Sequence, residues 1–232
     1  MTATPPAPGA IALLVPVKDL TRAKSRLAPL LSLAERRELA WRMLRGVLAA
    51  LAAAPHDGPR ALVTSYAPAA ALAREHGFMV IDEERQESES ASVDAASAHL
   101  ERAGVRGVLR IPLDLPHLGA DDLAPVLRAA AEGCSAVLVP SRDGTGTNAL
   151  YRAPPTLFPS RFGPDSLVLH ERAAQAAGAS VRVLPVPGFA LDIDDPADVA
   201  ELVRRATPGA ALDYLRTLDI ETRLARITRA PA

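Results

Sequence analysis

The sequence predicts a three-layer α/β fold built on a mostly parallel sheet. Short apolar runs rich in Val, Leu and Ile alternate along the chain with stretches of helical apolar periodicity, and glycine or proline marks many of the junctions. At 232 residues the chain is long enough for one full core and short for two. Its apolar fraction of 49% beside 23% charged residues is that of a globular protein, so a packed core is expected.

Residues 11–17 form a continuous apolar run containing Pro16, the pattern of a strand covered on both faces. A polar stretch, residues 18–26, follows. Ser32-Leu33-Ala34-Glu35 then has capping-box spacing, and Leu39, Met43, Val47 and Leu51 recur at helical intervals. Residues 62–64 and 78–81 read as short strands, and 72–76 as part of a helix closed by Gly77. Residues 82–92, rich in Glu and Ser, read as a loop before a helix at 93–102. A buried strand at 107–113 ends at Asp114-Leu115-Pro116. A helix at 121–131, a strand at 136–140 and a turn-rich loop at 141–146 come next. Residues 148–152 read as an antiparallel strand, 165–177 as a helix and 181–186 as a strand. Asp195-Pro196 starts a helix with a cap and a proline in its first turn. With no internal repeat and no long linker, the expected organisation is a flexible segment at 1–10, one domain at 11–207 and a helical tail at 208–232. Leu212, Leu215, Ile220 and Leu224 of the tail have near-helical spacing, suited to packing on the core or on a second subunit in a homodimer.

Bulk properties exclude several functions. A formal charge of −1 leaves no footprint for nucleic acid or an anionic membrane. Aromatics at 3% offer few stacking platforms for single strands. The lone Cys134 has no disulfide partner and reads as a small buried side chain beside the 136–140 strand. No apolar run approaches a membrane span, and no basic segment leads an apolar one at the N-terminus, so a cytoplasmic protein is expected.

In an open α/β sheet, ligands bind beyond the carboxyl ends of the strands. The first polar cluster there is Lys18, Arg22, Lys24, Ser25 and Arg26. It lacks glycine, so it is neither a Walker loop nor a dinucleotide fingerprint, and side-chain cations must supply the charge for any phosphate; a solvated basic loop is the alternative. The second is Asp114, a carboxylate costly to desolvate at a buried strand end unless paired or holding a metal; a turn-forming Asp is the alternative. In the third, Leu191-Asp192-Ile193-Asp194-Asp195-Pro196, side chains two apart on a strand put Asp192 and Asp194 on one face, while Asp195 suits a helix cap. Carboxylates from two strand ends could together hold a hard divalent cation. Asp143-Gly144-Thr145-Gly146-Thr147-Asn148 could cradle an anion with free amides and hydroxyls, or be a plain hairpin. Phe162-Gly163-Pro164-Asp165-Ser166 opens a helix whose first N–H groups favour an anion. The five histidines show no metal-ligand spacing. His117 lies near Asp114 in sequence and His170 one turn after Ser166, although surface or core positions explain both.

In this order the clusters resemble the CofC/FbiD family of guanylyltransferases, which make the phospho-acid precursor of the deazaflavin coenzyme F-420. The matching segments are Val15-Pro16-Val17-Lys18, Ala23-Lys24-Ser25-Arg26-Leu27-Ala28, Asp114-Leu115-Pro116, Gly144-Thr145-Gly146-Thr147-Asn148-Ala149-Leu150, Phe162-Gly163 with Ser166 and His170, and Leu191-Asp192-Ile193-Asp194. They span residues 11–205 and leave the tail outside. The resemblance implies a nucleotide-diphospho-sugar transferase-like, Rossmann-like fold for the 11–207 domain, with GTP as co-substrate and Mg²⁺. It implies Asp114, Asp192 and Asp194 as metal ligands, and Thr147, Gly163 and Ser166 at the phospho-acid. Lys18, Lys24, Ser25 and Arg26 fall at GTP, with Lys24, Arg26 and Asp114 as the catalytic set. Ser92-Val93-Asp94 stands where many members have Gly-Leu-Asn, a change from amide donor to acceptor expected to alter base or substrate recognition. Gly46 stands where an Asp is usual.

The implied reaction is attack by an acceptor phosphate oxygen on the α-phosphorus of GTP, with release of pyrophosphate. Its acceptor is 2-phospho-L-lactate, phosphoenolpyruvate or 3-phospho-D-glycerate. The sequence admits two rivals. One is a molybdopterin- or sugar-type nucleotidyltransferase, which normally carries a Gly-rich loop after the first strand. The other is a non-catalytic nucleotide-binding module, against which the three candidate metal carboxylates argue.

Overall fold

The computed structural model describes residues 9–83 and 86–229. Most of the expected N-terminal segment, Glu84 and Arg85 of the acidic loop, and the last three residues of the tail lie outside the described residues. Among those described, seven strands form one sheet: β1 (Ile11–Pro16), β2 (Arg60–Thr64), β3 (Met79–Asp82), β4 (Gly107–Arg110), β5 (Ala136–Pro140), β6 (Thr147–Arg152) and β7 (Val181–Val183). Their spatial order is β3-β2-β1-β4-β6-β5-β7, with β6 antiparallel to both its neighbours and every other pair parallel.

The continuous apolar reading of β1 follows from its two covered faces. Leu13 and Val15 pack with α1 (Leu33–Ala53), α2 (Ala67–Glu75) and α4 (Leu123–Ala131). Ala12 and Leu14 pack with Val93, Ala96 and Leu100 of α3 (Glu89–Arg102). On that second face, Ala136, Leu138 and Leu150 meet α5 (Ser166–Ala176). Cys134 is free and buried in the first of these clusters.

A further apolar cluster lies beside the sheet. Leu39 and Met43 of α1 meet Leu27, Leu30 and Leu31 from the loop after β1. They also meet Val199 and Leu202 of α6 (Pro196–Arg205), Leu212 and Leu215 of α7 (Ala210–Thr217), and Ile220, the first residue of α8 (Ile220–Arg229). The tail therefore packs on its own chain. Ser32 and Glu35 form the capping box that starts α1, and Glu35 also receives both terminal nitrogens of Arg223 in α8 at 2.9 Å. That guanidinium, then the Ser32 backbone N–H, hold the Glu35 carboxyl down at about 2.

Four segments differ from the sequence reading by three residues or more. The strand expected at 107–113 ends at Arg110; Ile111 still donates to the Leu14 carbonyl, but Pro112 has no N–H to continue the ladder. The strand expected at 181–186 stops at Val183. α3 begins at Glu89, four residues early, because Ser88 accepts the Ala91 N–H and caps it. Residues 191–194 are not a strand: they run beside the sheet, with Ile193 donating to the Asp114 carbonyl at 3.2 Å. Their alternation survives nonetheless. Leu191 and Ile193 are buried in the α1 cluster, while Asp192 and Asp194 line the cleft described below.

Gly46 lies exposed in the middle of α1, and a Cβ there would meet nothing within 4 Å. Nothing in the structure requires glycine at this point. Gly46→Ala is expected to stabilise the fold by about 0.5–1 kcal/mol, because a helical glycine loses more backbone freedom than alanine. Urea unfolding reads this directly, and an unchanged or lowered midpoint would contradict it.

Candidate active site

A cleft of about 770 Å³ opens at the carboxyl ends of β1 and β4. β1 has β2 on one side and β4 on the other, so connections leave the sheet in opposite directions there, the usual place for a ligand in this architecture. Because β6 runs backwards, its first residues, Thr147 and Asn148, reach the same edge. The cleft wall includes all ten residues to which the family resemblance gives a role: Lys18, Lys24, Ser25, Arg26, Asp114, Thr147, Gly163, Ser166, Asp192 and Asp194.

Lys24 occupies the centre of one wall. It sits between two 3₁₀ turns, at 20–22 and 25–27, in the left-handed backbone region with φ 54° and ψ 46°. For a non-glycine residue that conformation costs about 1 kcal/mol or more, so surrounding contacts must enforce it. Its ammonium lies 2.5 Å from Asp114 Oδ2 and 2.9 Å from Asp194 Oδ1. Burial opposes the charge, but the two carboxylates outweigh it and hold the ammonium well above its ordinary range. Burial likewise pushes the Asp194 carboxyl up, yet Lys24 and then Arg26 bring it below the usual range. Lys18, Ser25 and Arg26 are exposed on the same loop.

Asp192 is the carboxylate left short of positive charge. Burial, then the Asp114 charge, raise it to about 6, against the pull of the Asn148 amide that donates to it at 3.1 Å. Two carboxylates on one amine, with Asp192 beside them, have the oxygen chemistry of a hard divalent ion, which would relieve this deficit. Among the described residues, however, no group of three His, Cys, Asp or Glu side chains is arranged to hold an ion. Lys24 stands between two of the three candidates instead.

The opposite wall corrects part of the sequence reading. The amides expected to cradle an anion at 143–148 are already used: Gly144 donates to the Ser141 carbonyl, Thr145 to Asp143, Gly146 to the Ser141 hydroxyl and Thr147 to the Ser166 hydroxyl. This segment is the β5–β6 hairpin. At the start of α5, Leu167 donates to the Thr145 carbonyl. Gly163, at φ 127°, takes a conformation open mainly to glycine.

The hydroxyls remain. Buried His170 accepts the Arg161 N–H on Nε2 at 2.8 Å, so its proton sits on Nδ1 and is given to Thr147 Oγ1 at 3.0 Å. Thr147 Oγ1 and Ser166 Oγ each accept one bond, which leaves each hydroxyl hydrogen free for another acceptor. Burial first, then Arg110 and Arg152, push the His170 pKa down to about 4, so it is neutral at physiological pH. It serves the site through Thr147 rather than by touching an anion. His117 is half-buried and absent from the cleft wall.

Asp94 also departs from its expectation. Its carboxylate holds the Arg152 guanidinium at 3.0 Å and both the N–H and hydroxyl of Ser160, away from the cleft. The acidic residue is explained by a buried cation, not by a base or substrate. The sequence reading missed Arg110, Glu89 and Glu83 in the wall, while Ser92 of the Ser92-Val93-Asp94 segment does line it. For Arg110 a signal existed: it is the charge inside the apolar run Val108-Leu109-Arg110-Ile111.

The chain matches the family model described as guanylyl transferase CofC-like over residues 11–230. The chain belongs to that family. The match includes the tail, which the motif resemblance had left outside. This CofC-like chain is similar to the phosphoenolpyruvate guanylyltransferase of Rubrobacter xylanophilus, with 38% identity over 197 residues, 81% of this chain and 91% of that one. It shares 34% identity over 206 residues with the protein of the same name from Mycolicibacterium paratuberculosis, covering 88% and 90% of the two chains. A solved chain from Desulfovibrio desulfuricans, assigned as a nucleotide-diphospho-sugar transferase, superposes with a TM-score of 0.77 at 16% identity, over 94% of this chain and 98% of that one. At that identity the likeness bears on the fold, which is nucleotide-diphospho-sugar transferase-like. Family and fold together make the protein a nucleotidyltransferase.

The His170 position carries a pH prediction. An unfolded histidine takes up a proton below 6.5, whereas His170 resists until about 4. Its contribution is present above 6.5 and is lost as pH falls through that window. Between pH 7 and pH 5 the wild type should lose up to about 2 kcal/mol more than a His170→Gln variant. Parallel slopes of unfolding free energy against pH would rule this out.

Proposed function

We propose that this chain transfers GMP from GTP to the phosphate of a three-carbon phospho-carboxylic acid, with Mg²⁺, in the assembly of coenzyme F-420. Phosphoenolpyruvate is the favoured acceptor, because that substrate is in the names of the relatives in Rubrobacter and Mycolicibacterium; 2-phospho-L-lactate and 3-phospho-D-glycerate present the same two acidic groups. The observation that carries the reading is the pairing of Lys24 with Asp114 and Asp194, with Asp192 close enough to feel both carboxylates, beside a basic loop.

The bond formed joins an acceptor phosphate oxygen to the α-phosphorus; the bond broken releases pyrophosphate. A phosphate dianion is already a nucleophile, so no general base is needed. The obstacle is bringing two polyanions together, and positioning with charge neutralisation answers it. Asp114, Asp192 and Asp194 would hold Mg²⁺ once Lys24 leaves Asp114 and Asp194 for the GTP phosphates, and the ion would supply positive charge to offset the reacting anions. Lys18, Lys24, Ser25 and Arg26 face the GTP phosphates. The Thr147 and Ser166 hydroxyls, with the open backbone at Gly163, orient the acceptor. Sugar- and molybdopterin-type transfer is not favoured, since the basic loop lacks the glycines those enzymes carry and the family is a guanylyl transferase one.

Pyrophosphate release with GTP, Mg²⁺ and each acid in turn tests the reading; release with none of the three sinks it. Asp192→Asn should cut turnover on the order of 10²–10³-fold, the size of losing one preorganised electrostatic group. In chelator the same variant should melt no lower than wild type, because a crowded buried charge has been removed. Near-normal turnover would remove Asp192 from the mechanism.

A further inference from the structure

Most cations in the cleft wall belong to exposed loops, and Arg142 on the hairpin leans on Asp198 at 3.3 Å. Arg110 is different. It comes from within the sheet, on the face that packs against α3, and only 5% of it is exposed. Its guanidinium carbon lies 4.1 Å from the centroid of the Phe162 ring. Nη2 is bonded to the Glu89 carboxylate, and Nη1 makes long contacts of 3.4 and 3.5 Å to the Thr147 and Asn148 carbonyls. Nε is buried and has no partner.

This is a costly arrangement for a structural role. A buried guanidinium is tolerated when its fork of donors is filled, and here one donor is orphaned while two contacts lie at the limit of bonding. Its counter-ion, Glu89, is itself in the cleft wall and 31% exposed. The same charge stands beside Thr147, the residue assigned above to the acceptor, on a wall whose hairpin amides are already consumed. An acid bearing a carboxylate near a phosphate needs a positive partner on that wall, and a planar guanidinium matches a carboxylate better than any other side chain does.

We propose that Arg110 binds the carboxylate of the acceptor, and that Glu89 is an internal carboxylate which holds the guanidinium in place until the acceptor replaces it. The assignment rests on the guanylyltransfer reading and adds the residue that makes the acceptor an acid. The Phe162 ring keeps the guanidinium plane fixed while its anionic partner changes.

Opposite effects of two variants provide the test. Arg110→Gln should raise the KM for phosphoenolpyruvate roughly tenfold or more, the cost of a lost charge-assisted bond, while leaving the KM for GTP within about twofold. Glu89→Gln should lower the acceptor KM, because the competing anion is gone, and Arg110→Lys should fall between wild type and Arg110→Gln. A pair that merely braces the fold predicts the same direction for both variants, and a raised acceptor KM in Glu89→Gln overturns the proposal even if Arg110→Gln fails to fold. As competitors, pyruvate should lose potency in Arg110→Gln and inorganic phosphate should not; the reverse would assign the residue to the phosphate and overturn the carboxylate claim. If the wild type releases no pyrophosphate, the transfer reading fails. Calorimetric binding of phosphoenolpyruvate then decides the Arg110 assignment: affinity lost in Arg110→Gln and kept in Glu89→Gln upholds it, and equal binding in all three proteins, or none in the wild type, overturns it.

Discussion

One amine organises this molecule's polar centre. Lys24 joins Asp114, at the end of the sheet's middle strands, to Asp194, which lies some eighty residues further along the chain. Without it, three partly buried carboxylates would face one another with little compensation, and the elevated Asp192 pKa shows how little charge is spare. The left-handed backbone at Lys24 is the local strain accepted so that the ammonium can reach both partners. In this arrangement the ammonium already serves two of the three carboxylates, and a polyanion with its counter-cation can enter by exchange of partners rather than by exposing bare charge.

The two walls of the cleft solve different problems. One is a loop of exposed cations around a single buried amine, suited to a mobile chain of phosphates. The other is rigid: a neutral histidine fixes a threonine hydroxyl, a serine hydroxyl is fixed by a backbone amide, and an arginine is stacked on a phenylalanine. Fixed donors of this kind discriminate between small acids better than flexible lysines do, because less conformational freedom is lost on binding. The reversed β6 makes the second wall possible, since only an antiparallel strand brings its leading residues to this edge.

Much of this was legible in the sequence. Apolar runs covered on both faces marked the strands, the Ser32–Glu35 spacing marked α1, and Asp195-Pro196 marked α6; each is a local signal with a local cause. The alternation around Asp192 and Asp194 pointed the right way although the segment is not a strand, because burial of Leu191 and Ile193 sets it, not sheet bonding. What stayed hidden depends on distant partners. The hairpin amides looked free until Ser141, Asp143 and Ser166 were seen to use them. Asp94 looked like a recognition residue until Arg152 was found beneath it. The start of α3 was obscured because Glu and Ser serve equally well in a loop and in a capped first turn.

The C-terminal helices reach further than their position suggests. Arg223 of α8 grips Glu35 and also donates to the Leu30 carbonyl at 3.3 Å, and Arg36, one residue on from Glu35, reaches the Lys24 carbonyl at 3.4 Å. Leu27, Leu30 and Leu31, which close the basic loop, share their apolar cluster with α7 and Ile220. The tail is thus a buttress behind the loop that carries the site's pivotal amine, and shortening the chain at its far end would be felt some two hundred residues upstream, in the set of one lysine's backbone.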